Sequence, residues 1–499
     1  MSVQFIMEHD QFLFVRIESP QWLLYVSVLL TAVFFRFSRL LAVRNLDLVL
    51  LLSLSTALVV SAASRPNDDP VKNSSQPAAA ESDSLTETDA EPTPAAVSPP
   101  VSPVYRWSTL ISLALSALLV VRLMFDESLT RRPRLEQNLN QAGLTFLFVP
   151  AFSILMTGVF IKEPPRRNVD AVEAGKALLQ QKESSPQEVG KEPVPTPPPT
   201  ETLAAATVTK VAEFAGRVDS SQVNSDAEKS PVEEFIARIL VVLAHSAVVG
   251  GLLYIGKKHF CSLQLGFSMS CLYLLLPCTA YNVHELSHVV PGACLTWAFA
   301  SYRKPAVAGV LLGLACGTLF FAVFLLPLWA VFYGKKGALR FGLSLGAVAA
   351  LVLMTFALTS ETTDSFVNKL VMTANWTVYR LFDAASPLPE YAIGQSYLRI
   401  TLAAIFFVML VAMTVIPRKR NLENLLAHTT ALIVAAQLWY PEDVGTYVLW
   451  YLPLMLMVVF RPRLDRFVPP EDPNHTTARL TEDRGSQPAG PLARVTLYN

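Results

Sequence analysis

The chain has 499 residues, 52% of them hydrophobic and only 16% charged, with a mean hydropathy of +0.39. Its 40 basic and 40 acidic residues cancel, and no Lys/Arg-rich patch is present, which argues against nucleic acid as a partner. Runs of about eighteen apolar residues recur, each long enough to cross a hydrocarbon core of roughly 30 Å, and this sets aside an ordinary soluble domain.

Residues 1–63 hold a first predicted pair of spans, 21–37 and 45–63, joined by a loop with Arg36, Arg39 and Arg44. The start is acidic (Glu8, Asp10, Glu18) where a cleaved signal peptide is basic, so 21–37 reads as a retained span. Residues 64–104 are rich in Ser, Pro, Ala, Asp and Glu, with too little apolar content to offset chain entropy, and predict a disordered linker. Residues 105–161 form a second pair, 105–124 and 143–161. Residues 162–232 are again polar and read as a linker, extended over the proline-rich 193–199, with a weak amphipathic helix at 202–218. The main membrane core is 233–466, with spans at 234–256, 262–283, 341–359, 398–417, 424–440 and 444–460 and further membrane helix between 288 and 332. Residues 467–499 form a polar tail. The five cysteines lie in or beside apolar segments, none in a CxxC pair, and read as small buried side chains.

Positive residues orient the core. Lys257-Lys258, Arg303-Lys304, Lys335-Lys336, Arg418-Lys419-Arg420 and Arg461 with Arg463 are expected in the cytoplasm. Loops 282–288, 360–397 and 441–443, and both linkers, are expected outside. With both basic pairs inside, residues 306–333 must cross twice or enter and return, and Gly313, Gly317 and Pro327 mark the expected breaks. Broken helices are tolerated where protein covers them or where they line a cavity.

Chemistry concentrates at Asn282-Val283-His284-Glu285-Leu286-Ser287-His288. His284 and His288 at i, i+4 would share a helical face and could hold zinc, with Glu285 as base on bound water. Pro291 disturbs a helix through Ser287, and no third ligand stands in a helical setting. On the alternative reading the patch is the polar lip of a cavity, with Tyr281, Asn282, Glu285 and His288 lining it and Pro291 starting the next helix. Glu442 and Asp443, in the turn after Tyr440, are the next carboxylates at the same predicted face. Trp376, Arg399, Trp439 and Tyr440 are candidate substrate contacts.

The order of polar patch, small-residue helix, basic pair and then VAGVLLGLACGTLFFAVFLLPLWAVFYGKKG resembles the core of the GT-C membrane glycosyltransferases. It is most similar to the polyprenol-phosphate-mannose-dependent type of glycosyltransferase family 87. Over roughly 236–466 the chain also resembles an uncharacterised group of bacterial multi-pass proteins, through Gln437-Leu438-Trp439-Tyr440, Tyr447–Pro453 and Phe460–Leu464. Where the family carries a Lys or Arg with Pro at the helix break, this chain reads Thr318-Leu319-Phe320, and Arg399 is the next cation.

The expected fold is thus an all-α integral membrane protein with about 11–12 transmembrane helices, broken helices in a GT-C-like core and two disordered extracytoplasmic linkers. The resemblance implies a multi-pass protein of the bacterial cytoplasmic membrane. Its partners would be membrane lipids, and its activity transfer of a sugar from a polyprenyl-phosphate donor at the outer face. Glu285, then Glu442 and Asp443, are the candidate catalytic carboxylates. Tyr281, Asn282, His284, His288, Trp376, Arg399, Trp439 and Tyr440 are the candidate binding residues. A non-enzymatic scaffold or transporter is the alternative. A zinc metalloprotease using His284 and His288 is the third reading, and only it calls for zinc.

Overall fold

In a computed structural model of the protein we describe residues 20–64, 102–128, 138–181, 197–214, 231–318, 320–360, 362–373, 396–416, 420–439 and 447–462. These residues are helical, with no strand among them. Helices α1 (Pro20–Phe34), α2 (Val43–Ala63), α3 (Pro103–Met124) and α4 (Gln141–Ile161) come first. They are followed by α5 (Arg166–Gln180), α6 (Pro199–Phe214), α7 (Pro231–Lys258), α8 (Leu263–Leu275), the short α9 (Pro277–Tyr281) and α10 (Leu286–Ala300). The remainder are α11 (Pro305–Cys316), a 3-10 segment (Phe320–Leu325), α12 (Leu326–Leu358), α13 (Thr363–Thr373), α14 (Ser396–Val415), α15 (Leu422–Trp439) and α16 (Val448–Phe460).

Among the described residues five helices are long and apolar enough to cross a membrane: α2, α3, α4, α7 and the stretch Phe321–Leu358. Six shorter apolar helices of 10–17 residues accompany them. Prolines account for part of this shortening. The predicted span 262–283 divides at Leu276, whose extended backbone (ψ 132°) is what a residue before proline adopts. Pro277 then opens α9 at a position where its missing N–H costs nothing.

The stretch between the two basic pairs breaks as charge placement requires. Helix α11 stops at Cys316 with Gly317 as its C-cap, and α12 begins with Pro327 in its first turn. Gly313, expected as a third break, instead stays inside α11, where its bare Cα lets the helix lie against Val348. Phe299 packs on Trp329 at 4.8 Å and Tyr302 lies 6.5 Å from Phe332, so the chain returns toward the end it left. Arg303-Lys304 and Lys335-Lys336 therefore share one end of the bundle. Between Tyr333 and Lys335, Gly334 takes φ 66° and ψ −176°, a conformation open only to glycine, and turns one helix into the next.

The N-terminal helices are built into the core. Ser108, Ser112 and Ser116 recur every fourth residue on one buried face of α3, a helix that packs against both α2 and α15, and small residues of this kind let helices approach closely. The Ser55 hydroxyl of α2 accepts the Cys278 N–H at 2.8 Å, and Gln264 of α8 donates to the Leu139 carbonyl at 3.0 Å. At the basic end a chain of buried ions joins both N-terminal pairs to the core. Arg122 of α3 grips Asp47 of α2 with two hydrogen bonds, at 2.6 and 2.8 Å, and Asp126 at 2.7 Å. Asp126 also pairs with Arg461, just past α16, and Arg461 with Glu423 at the start of α15.

The segment 162–232, read from its polarity as a linker, contains two packed helices. Helix α5 buries Val169, Ala171 and Val172, and α6 buries Ala205 and Ala206. Lys176 of α5 reaches Glu233 of α7 at 2.6 Å. The helix expected at 202–218 thus begins earlier and rests on the core. All five cysteines are free, and Cys261 is exposed where the sequence suggested burial. Most of the 64–104 segment and all of the 467–499 tail lie outside the described residues.

Candidate functional site

The polar patch occupies the turn between α9 and α10 at the end of the bundle opposite the basic pairs. Asn282 ends α9, and α10 starts only at Leu286, with Glu285 as its N-cap. His284 therefore lies in the turn and His288 in the first turn of α10. The two imidazoles do not share a helical face, so the geometry the zinc reading needs is not formed. Among the described residues no three His, Cys, Asp or Glu side chains gather closely enough to hold a metal. The described residues do not fit a zinc site.

Three carbonyls of this patch are each taken by a side chain from a different element. His245 of α7 meets the Val283 carbonyl through Nε2 at 3.0 Å, while its Nδ1 meets the Tyr273 hydroxyl at 3.0 Å. A carbonyl can only accept, so Nε2 carries the proton and Nδ1 accepts from the tyrosine. Asn168 of α5 donates to the His284 carbonyl at 2.7 Å. Trp450 of α16 donates to the Ser287 carbonyl at 3.2 Å. Pro291 makes that last bond possible. It sits inside α10, rather than opening the helix as the lip reading had it, and lacks the N–H that would bind Ser287 four residues back.

Aromatic rings pack beneath. His288 lies 5.1 Å from Tyr447, and Phe321 of the 3-10 segment lies 5.9 Å from Tyr447 and 4.7 Å from Trp450. Phe324, one 3-10 turn on, meets Phe406, Phe407 and Trp439. Trp439, a candidate substrate contact, is thus enclosed in an aromatic cluster at 1% exposure.

Helices α5 and α6 cover the patch. The Thr200 N–H donates to the Gly317 carbonyl at 3.2 Å, and its hydroxyl donates to the Leu314 carbonyl at 2.7 Å. These are among the carbonyls that α11 leaves without helical partners at its C-terminus. A Cβ at Gly317 would collide with the Thr200 hydroxyl, so this seat requires glycine.

The next residue, Glu201, is fully buried, and neither carboxyl oxygen has a hydrogen-bond partner. Burial pushes its pKa up to about 8; Arg167 opposes that shift and the nearby Glu285 adds to it. Burial outweighs the attraction of Arg167, so at neutral pH Glu201 is predominantly protonated while Glu285 sits beside it, half-buried. The His284 ring is pushed down to about 4 by burial, then by Lys162 and Arg238, and its Nε2 has no partner. The Ser287 hydroxyl is likewise buried and unpartnered.

Of the residues expected from sequence, Tyr281, Asn282, His284, Glu285 and His288 come together here. Asn282 turns its amide back onto the Cys278 carbonyl at 3.0 Å. Trp376, Tyr440, Glu442 and Asp443 lie outside the described residues, and so does the side chain of Arg399, whose backbone belongs to α14. Sequence reasoning missed Asn168 and Glu201, and read Trp450 as part of an interfacial aromatic belt or a sugar platform rather than as a support of this turn. The first two stand in the segment read as a linker, where Pro199-Thr200-Glu201 was the available helix-start signal. A groove lies elsewhere, between α2 and α3, lined by Ser53, Thr56, Val60, Val104, Trp107 and Ile111. It holds no part of the polar patch. Comparison of the chain with protein-family models, with curated proteins and with solved structures finds no match in any of the three.

Proposed function

We propose that the chain is a membrane protein that binds a lipid-linked polar ligand at the 281–288 turn, beneath α5 and α6, and moves a sugar from a polyprenyl-phosphate donor. The observation that carries this reading is the pair Glu201 and Glu285. One carboxyl is driven to its neutral form by burial and the other keeps access to solvent. A carboxyl held neutral by burial, beside a second carboxyl with access to solvent, can divide acid and base roles with it. Glu285 would take the proton of an acceptor hydroxyl. The acceptor oxygen would bond to the anomeric carbon as the bond to the lipid phosphate breaks, and the phosphate would leave with the electron pair. Neutral Glu201 would donate a hydrogen bond to the sugar. Lys162, Arg167 and Arg238 supply positive charge near the turn, where the 318–320 break offers none.

A second reading, a non-catalytic scaffold or transporter, is favoured by how closed the patch is, with His284 and His288 only 8% and 7% exposed. Turnover of polyprenyl-phosphate sugars by the full-length protein in liposomes separates the two. The transferase reading expects Glu285→Gln to lose about 100-fold or more of the rate, the scale of a general base. An absence of turnover and of thermal stabilisation with any such lipid would sink it.

A further inference from the structure

We propose a second ligand site, at the basic end of the bundle: the connection between α1 and α2 holds the phosphate of an anionic lipid. The connection reads Phe35-Arg36-Phe37-Ser38-Arg39-Leu40-Leu41-Ala42, alternating cations with large apolar residues. Its shape is held from within. Asn45 of α2 accepts the Arg36 N–H at 2.9 Å and donates to the carbonyls of Arg36 and Arg39, each at 2.9 Å. This fixed backbone presents Phe37, Leu40 and Leu41 outward, at 61, 64 and 101% exposure. Apolar side chains so displayed beside membrane-length helices suit the boundary between headgroups and acyl chains.

Arg44 completes the site. It is 6% exposed, donates through Nη2 to the Phe34 carbonyl at 3.2 Å and lies over the Phe460 ring at 4.8 Å. Its Nε and Nη1 have no partner. Among the described residues the nearby carboxylates offer no relief, because Asp47 is held by Arg122, and Asp126 by Arg122 and Arg461. The charged group that bears on Arg44 is another cation, Arg36. Helix α2 also begins here, at Ala42, without a side-chain cap. A buried guanidinium with two idle donors, a second guanidinium whose charge bears on it and an uncapped helix N-terminus all lack the same thing, an anion with several acceptor oxygens. A lipid phosphate provides it, and its acyl chains would lie along Phe37, Leu40 and Leu41. Two cations favour a net-negative headgroup over a zwitterionic one.

The site is independent of any activity at the opposite end. The test is lipid retention by delipidated full-length protein, read by native mass spectrometry and by Tm. The probes are phosphatidylglycerol, phosphatidylcholine and inorganic phosphate. Wild type should retain and be stabilised by phosphatidylglycerol over phosphatidylcholine. Arg36→Gln, on a partly exposed residue that the fold does not need, should lower the preference about fivefold, equivalent to ~1 kcal/mol for a basic residue at an anionic surface. Arg44→Lys, which keeps the charge but loses the forked donors, should lower it by less than Arg44→Gln. Equal retention of both lipids, or an unchanged preference in Arg36→Gln, would overturn the proposal. So would inorganic phosphate stabilising as well as phosphatidylglycerol, which would make this a site for a free anion.

Discussion

At the scale of single residues, burial decides which polar groups ionise. Glu201 ordinarily titrates near 4.5 and is pushed up to about 8 in the folded protein. Between those values the folded chain keeps a proton that the unfolded chain has lost. Stability therefore falls as pH rises through this window and levels off above it. Glu201→Gln keeps the shape and removes the titration. Thermal unfolding in detergent from pH 5 to pH 9 should give a flatter curve for the variant, which should be the more stable protein at the alkaline end. Parallel curves would mean that Glu201 is not closed off from water. The sequence located the polar turn correctly but not its partners. His284, Glu285 and His288 stand in one legible motif. The groups that hold that turn come from residues 168, 245 and 450, and no local pattern links such distant positions.

At the scale of elements, punctuation by proline and glycine was readable and burial of polar segments was not. The break after Cys316 and the restart at Pro327 follow from two basic pairs that need the same end and too few residues for two full crossings. Gly313 misled because a glycine inside a helix can mark close packing as well as a break. Helix α5 escaped notice, and α6 was expected only as a weak helix at 202–218, because the segment as a whole is polar in composition. Their stability comes from narrow apolar faces set on α7 and on each other, and a mean composition hides such faces. The kink at Gly334 gives a direct test. Its backbone lies where a Cβ is not tolerated, and a Cβ there would also meet the Arg420 guanidinium at 3.1 Å. Gly334→Ala should cost about 1–3 kcal/mol, the usual penalty for a side chain held in such a conformation. A lowered Tm of the purified protein would report it. An unchanged Tm would mean that the two halves of α12 can join by another route.

At the scale of the whole molecule, the N-terminal helix pairs and the core form one unit, locked at the basic end by alternating charges. The order Asp47, Arg122, Asp126, Arg461, Glu423 passes from α2 through α3 to the ends of α16 and α15. Sequence reasoning saw Arg461 as a marker of orientation, because charge counting cannot tell a solvated cation from one held by a distant carboxylate. Buried pairs of this kind add little net stability over apolar replacements, since desolvation opposes their attraction. Removing one partner, however, strands the other and costs about 3–5 kcal/mol. Arg122→Met should therefore be strongly destabilising, because it leaves Asp47 and one oxygen of Asp126 without their cation. Adding Asp47→Leu removes one stranded charge, so the double variant should recover part of the loss while Asp126 keeps Arg461. The thermal stability of wild type, both single variants and the double variant in detergent closes the cycle. A coupling of at least ~1 kcal/mol between positions 47 and 122 is expected for groups in one network. Additive losses would mean that the charges act separately, and that the N-terminal helices are held on the core by packing and by neutral hydrogen bonds such as Cys278 N–H to Ser55.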